Sequence, residues 1–187
     1  MVIRSLVNMS EEEGSIRFLK IAGRLKKEYR RGWIEKAGIE NPESVADHTF
    51  RTALLAMLLG DSRNLDTEKM IKMALIHDIG ESIVGDITPS NVEKLKDKKI
   101  VENAAIIRIF NNLSTKVRED YLKLWNELRS GTSIEARLVS EADKLEMAIQ
   151  ASDYEEDGFS KIALFDFKLY AKNQIRDEQI LRMLDLV

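Results

Sequence analysis

Only two histidines occur in the 187 residues, and each is bonded to an aspartate, in Asp47-His48 and His77-Asp78. Neutral imidazole nitrogen and carboxylate oxygen together suit a first-row divalent ion. A histidine beside an apolar helical stretch is more often a satisfied core residue. The pairing of every histidine with an acid turns the balance toward a metal. His77 and Asp78 are adjacent, so on one helix their side chains diverge by about 100°. They serve one ion only where a helix end offers both to a shared cavity. His48 starts one apolar segment and His77-Asp78 ends the next. Packed antiparallel, as a short connection favours, those two ends meet. A further ligand has to come from elsewhere. Asp143 is the candidate, because it borders a stripe made by Leu138, Ala142, Leu145, Ala148 and Ile149. The alternatives are a solvated helix aspartate, an ion pair with Lys144, or Glu141 as the ligand of the same turn.

The elements that must position these residues read as helices. Hydrophobic residues make up 44% and charged residues 33%, with two prolines and nine glycines, a balance that favours helix over sheet in a globular chain. The spacing predicts an early amphipathic stretch through Ile16, Leu19, Ile21 and Leu25, then a loop from Arg31 to Asp47. A buried helix, apolar on most sides, follows over His48 to Leu59 and is closed by Gly60 to Leu65. Asp66 or Thr67 caps the next helix, which runs to about Ile79. A break from Gly80 to Pro89 holds Gly85-Asp86 and Thr88-Pro89. Further helices are expected over about 91–112, 116–129, 133–155 and 160–172, and over the last ten residues. Gly131 supplies a stop and Thr132-Ser133 a cap. Trp125 reads as a core or subunit contact. The fold class is all-α, one domain over 1–187 with its core at about 15–185 and six to eight helices.

Several function classes fall away. There is no cysteine, which excludes disulfides, thiolate zinc sites and a cysteine nucleophile. A net charge of −3 gives no bulk attraction to a nucleic-acid polymer or an anionic membrane. The Lys94 to Lys99 run reads as a solvated helix face. No apolar stretch is long enough to span a bilayer, and the first thirty residues lack the apolar core of a signal peptide. The cytoplasm is the default location.

The order His48, His77-Asp78, Asp143 resembles the H…HD…D signature of the HD-domain superfamily. Flanking residues extend the likeness: Pro-Glu-Ser-Val-Ala-Asp-His at 42–48, His-Asp-Ile-Gly-Glu-Ser-Ile-Val-Gly-Asp-Ile at 77–87, and Glu-Ala-Asp-Lys-Leu-Glu-Met-Ala-Ile-Gln-Ala-Ser-Asp-Tyr-Glu at 141–155. Together these blocks resemble the HD-domain 5′-deoxynucleotidases. The resemblance implies an all-α fold, commonly a homodimer, that hydrolyses a small nucleotide, a deoxyribonucleoside 5′-monophosphate, to nucleoside and phosphate. It implies His48, His77, Asp78 and Asp143 as ligands of a divalent ion such as Mn²⁺ or Co²⁺. Glu81 and Asp86 match acids that position the water and the sugar or phosphate. Arg31 and Trp33 approximate an Arg and a Trp near the substrate, but Gly32 separates them and Arg30 is an equal candidate for the phosphate.

Physical readings accompany these roles. Glu81 lies one turn past Asp78 and can face the same cavity, or it is a surface residue after Gly80. Asp86 accepts a hydrogen bond from a sugar hydroxyl, or it caps the next segment. Trp33 is a flat wall for sugar or base, or a core residue. Two other functions stay open: an HD phosphohydrolase of nucleoside triphosphates or phosphodiesters, and a non-catalytic protein that holds a metal or a nucleotide.

Overall fold

The computed structural model describes residues 10–86 and 92–187, and of 92–99 the backbone only. Thr88-Pro89 and the Lys94–Lys99 side chains therefore lie outside the described residues. The helices are α1 (Glu11–Ala22), α2 (Arg31–Ala37), α3 (Val45–Arg63), α4 (Thr67–Ile76), α5 (Glu81–Val84), α6 (Val92–Phe110), α7 (Thr115–Ser130), α8 (Ile134–Glu156), α9 (Lys161–Gln174) and α10 (Glu178–Leu184), with a 3₁₀ turn at Gly23–Lys27. No strand occurs among the described residues, and an isolated bridge joins Tyr29 to Ser44. The all-α expectation holds. There are more segments than six to eight because two short helices, α2 and α5, occupy stretches that read as loop and break.

Three helices set the frame. α3 and α4 form a hairpin, and α8 packs across both. The shared core is Leu55, Ala56 and Leu59 from α3, Met70, Met73 and Ala74 from α4, and Val139, Ala142 and Leu145 from α8. Burying such side chains is worth about 1.5–3 kcal/mol each for the larger ones, so this three-way seam dominates the fold. A second cluster joins Trp33 and Ile39 to Tyr154, Leu164 and Phe167. A third packs Ile76 and Ile79 on Ile106, Phe110 and Trp125.

Local chemistry fixes the ends of this frame. Ser44 caps α3 in a reciprocal box: its hydroxyl accepts from Asp47 N–H, and Asp47 accepts from Ser44 N–H. The acid of the Asp47-His48 pair is thus spent on the helix start. α3 begins at Val45, so His48 stands within its first turns rather than at its first position. Asp66 caps α4 by accepting from Lys69 N–H at 2.9 Å. Ser133 caps α8 in the same way through Ala136 N–H at 3.1 Å, after the left-handed Gly131 has ended α7.

Three expectations are refined. α3 runs past Leu59 to Arg63 and stops at the left-handed Asn64, within the expected 60–65 break, so Gly60 itself lies inside the helix. A Cβ at Gly60 would stand 2.6 Å from Thr67 Oγ1 and 3.0 Å from Thr67 Cα, so this glycine lets the start of α4 cross α3. α3 is also apolar on a face that no described residue covers: Phe50, Leu54 and Leu58 are exposed. On α1, Ile16 and Leu19 are likewise exposed, while Leu25 just beyond it is buried. Replacing Gly60 with alanine should force the crossing apart and cost about 1–3 kcal/mol, the usual range for overpacking. Urea unfolding of the Gly60→Ala variant measures this. An unchanged midpoint would mean that the helices do not need the close approach.

Candidate metal centre

The hairpin brings its two histidines together. His48 is fully buried on α3, and its Nε2 lies 3.2 Å from Nε2 of His77 at the end of α4. Asp78 follows in the turn, with Oδ2 at 3.1 Å from His77 Nε2 and 3.8 Å from His48 Nε2. From α8, Asp143 Oδ1 reaches His48 Nε2 at 3.1 Å. His48, His77 and Asp78 thus form one group whose ligand atoms lie within 4.8 Å of one another, and Asp143 joins it from α8 through His48. The turn over 77–80, where α4 has stopped, is what lets adjacent His77 and Asp78 face the same point. Glu141, the competitor, faces elsewhere and accepts from Arg176 N–H and Asp177 N–H at 3.1 and 2.9 Å. Two residues apart on a helix is about 200° of rotation, so only one of the pair can face the cluster.

The outer nitrogens settle the tautomers. His77 Nδ1 donates to Ala74 O at 2.6 Å, and His48 Nδ1 makes a short hydrogen bond to Glu146 Oε2. With Nδ1 donating outward from both rings, both Nε2 atoms face the cluster, the arrangement usual for metal-bound histidine. Lone pairs 3.2 Å apart, beside two carboxylates, repel each other unless positive charge sits among them. The titration of His48 reports that demand. Burial and Arg30 oppose its imidazolium, yet Asp143 and Glu146 outweigh them and raise its pKa to about 9. Burial likewise pushes Asp78 and Asp143 up, and this is more than offset by His77 and Arg30 for Asp78, and by Lys144 and His48 for Asp143. Both stay ionised far into acid. Two bare imidazole nitrogens and two carboxylates fit a divalent ion.

Cavities open on two sides of the cluster, of about 350 Å³ toward α2 and α9 and about 320 Å³ toward α6 and α7. Asp78, Glu81 and Asp143 line both. The α2–α9 side mixes the cations Arg30, Lys36 and Lys144 with the further carboxylates Asp86 and Asp166, and has Phe167 and Tyr170 as aromatic walls. Glu81 is buried and opens α5. Asp86 also lines the α2–α9 cavity, while its Oδ2 accepts from Arg31 N–H at 2.6 Å. It caps α2, an earlier helix in the chain rather than the next one.

The structure separates the two arginines. Arg30 reaches Asp78 Oδ2 at 3.3 Å and Glu43 Oε1 at 3.9 Å, with 17% of its side chain exposed. Arg31 is 56% exposed and pairs with Glu28 at 3.8 Å, away from the cluster. Of the two candidates, Arg30 is the one that stands at the cluster and lines the cavity. Trp33, expected as a wall for sugar or base or as a core residue, packs in the core. It is 1% exposed, stacks on Phe167 at 4.1 Å between centroids, and donates from Nε1 to Glu43 Oε1 at 3.0 Å. It is a core residue at the cavity's base. The aromatic faces nearer the opening are Phe167 and Tyr170, which sequence reasoning did not single out. Trp125 is core, as expected. Lys144 does pair with Asp143, at 2.7 Å to Oδ2, while Oδ1 faces His48. Glu146 was missed. Its one signal was position, a single turn after Asp143 on a stripe that is otherwise apolar.

The match to a family model, an HD domain, runs over residues 22–183. The chain belongs to the HD-domain family. It is 43% identical over 148 residues to a Dictyostelium discoideum protein named 5′-deoxynucleotidase HDDC2, covering 75% of this chain and 77% of that one. The human protein of the same name is 38% identical over 141 residues, 75% of this chain and 68% of its own. A crystal structure of a Pyrococcus horikoshii protein superposes with a TM-score of 0.74 at 34% identity, covering 91% of this chain and 96% of that one. In this HD-domain chain the dipeptide stands at His77-Asp78, the turn where two ligand-type side chains leave one helix end.

Glu146→Gln tests whether the buried carboxylate tunes the centre. Loss of its charge should weaken divalent-ion binding by about 10–100-fold, the range found for partners of metal-bound histidine. Chelator competition measures this. An unchanged affinity would leave Glu146 as a packing residue only.

Proposed function

We propose that the chain is a metal-dependent phosphohydrolase that removes phosphate from deoxyribonucleoside 5′-monophosphates, with His48, His77, Asp78 and Asp143 holding the ion. The observation that carries this reading is the grouping of two Nε2 atoms with the Asp78 carboxylate and of Asp143 with His48, where Asp78 and Asp143 also line a cavity of about 350 Å³ that holds Arg30, Lys36 and Lys144. That volume lies within the range of small-molecule sites. The names of the eukaryotic relatives support the substrate class. The nitrogen and oxygen donors suit Mn²⁺ or Co²⁺.

When bound, the divalent ion activates a water and offsets charge on the phosphoryl oxygens. The chain's own residues do the rest. Arg30, already against Asp78, offers a guanidinium fork to the phosphate. Lys144 and Lys36 add positive charge on the side from which an anion enters. Glu81, lining both cavities, orients the water and takes its proton. Asp86, from the rim, accepts from a sugar hydroxyl with the carboxylate that also caps α2. Phe167 and Tyr170 flank the nucleoside. We also read the exposed Phe50, Leu54 and Leu58 on α3 as a surface for a second copy, giving a homodimer. No described helix is long and apolar enough to cross a membrane, and the cytoplasm is the proposed site of action.

The test is a phosphate-release screen over ribo- and deoxyribonucleoside 5′-monophosphates and triphosphates with Mg²⁺, Mn²⁺ and Co²⁺. Phosphate should appear from the deoxyribonucleoside monophosphates, vanish on chelation and return with the ion. In the same assay Arg30→Ala should lose about 10–100-fold in kcat/KM, the value of a hydrogen bond to a charged group at about 1.5–3 kcal/mol, while Arg31→Ala keeps its rate. Full activity after verified metal removal, or tripolyphosphate from triphosphates, would overturn the reading.

A further inference from the structure

We propose that Arg51 is a positioning residue for the metal centre. Its guanidinium fixes Glu146, and through Glu146 the ring of His48 and the register of α3 against α8. The inference rests on the reading of His48 and Asp143 as ligands.

Arg51 follows His48 by three residues on α3, one turn along the helix. Its donors spread over one face of α8. Nε donates to Glu146 Oε1 at 2.9 Å, Nη1 to Asp153 Oδ2 at 2.5 Å, and Nη2 to Gln150 Oε1. Those acceptors are spaced four and three residues apart, the spacing that lines up side chains on a helix. A planar fork that satisfies all three at once allows one relative placement of the two helices. α3 carries His48 and α8 carries Asp143, so this placement sets the 3.1 Å separation of their ligand atoms.

The same fork explains how Glu146 can be fully buried. A buried carboxylate is costly unless it is neutralised and hydrogen-bonded. One oxygen takes Arg51 Nε and the other takes His48 Nδ1. Glu43, His48 and Glu146 offer atoms that lie within 4.8 Å of one another, so a second carboxylate crowds Glu146. Without Arg51, repulsion from Glu43 would act on Glu146 with only the His48 bond to hold it. The ring of His48 would lose its fixed brace.

Arg63 provides the control. It lies on the same helix and makes a comparable clamp, with Nη1 and Nη2 on Asp177 at 2.8 and 2.5 Å and Nε on Gln179 at 3.0 Å. None of these bonds reaches His48, His77, Asp78 or Asp143. Parent protein, Arg51→Met and Arg63→Met are loaded with Co²⁺, and the affinity is read by chelator competition and the visible band of the bound ion. Both variants should unfold at lower denaturant. Arg51→Met alone should bind Co²⁺ about 10-fold or more weakly, with an altered band. The double variant Arg51→Met/Glu146→Gln should bind no more weakly than Glu146→Gln. If Arg51→Met fails to fold, Arg51→Lys replaces it, because lysine keeps the charge but cannot span three acceptors, and a weaker affinity is again expected. Parent-like affinity in the Arg51 variant overturns the proposal, as does a loss additive with Glu146→Gln or an equal loss in Arg63→Met. A parent protein that binds no Co²⁺ overturns the ligand reading itself, and this inference with it.

Discussion

Two imidazole nitrogens held 3.2 Å apart, each with its outer nitrogen already donating, define what the rest of the structure must deliver. Lone pairs at that distance are tolerated inside a protein only where positive charge lies between them. The backbone has to impose the approach. It does so with a hairpin whose two helices cross at Gly60, where no side chain stands between α3 and Thr67. α8 then lies across both helices through a seam of alanines, leucines and methionines, and that seam sets Asp143 against His48.

Charge is balanced around the same point. Asp78, Asp143, Glu81, Glu43 and Glu146 gather in a small volume, and Arg30, Lys144 and Arg51 answer them from three directions. Asp78, Asp143 and Glu146 hold their charge because those cations and the imidazoles outweigh the cost of burial, whereas burial and the neighbouring Glu146 raise Glu43 to about 7. Arg30, Lys36 and Lys144 line the α2–α9 cavity beside Asp78, Glu81, Asp86, Asp143 and Asp166. Arg30 thus neutralises the partly buried Asp78 and also lines the cavity.

The parts legible in the sequence were those governed by local spacing. Helix periodicity and caps located α4, α7 and α8 closely, with Asp66 and Ser133 where expected. That His48, His77 and Asp78 stand together followed from a short hairpin, and Asp143 beside His48 from one apolar stripe. What the sequence did not disclose depends on distant partners. α2 is seven residues long and exists as a helix because Asp86 caps it and Phe167 packs on Trp33. Which of Arg30 and Arg31 turns inward is set by partners far along the chain, Asp78 for Arg30, so spacing alone left the pair equivalent. Within the 60–65 break the stop belongs to Asn64 and Gly60 to the crossing, a division that glycine alone does not signal. Glu146 looked like one more helical acid, since its burial depends on an arginine ninety-five residues earlier.

The most direct test is the position of a bound ion. Crystals of the protein grown with Co²⁺ and measured at the cobalt absorption edge should show one strong anomalous peak within bonding distance of His48 Nε2, His77 Nε2, Asp78 and Asp143. A peak on the other face of His48, between Glu43 and Glu146, or no peak at a cobalt concentration that saturates activity, would contradict the account.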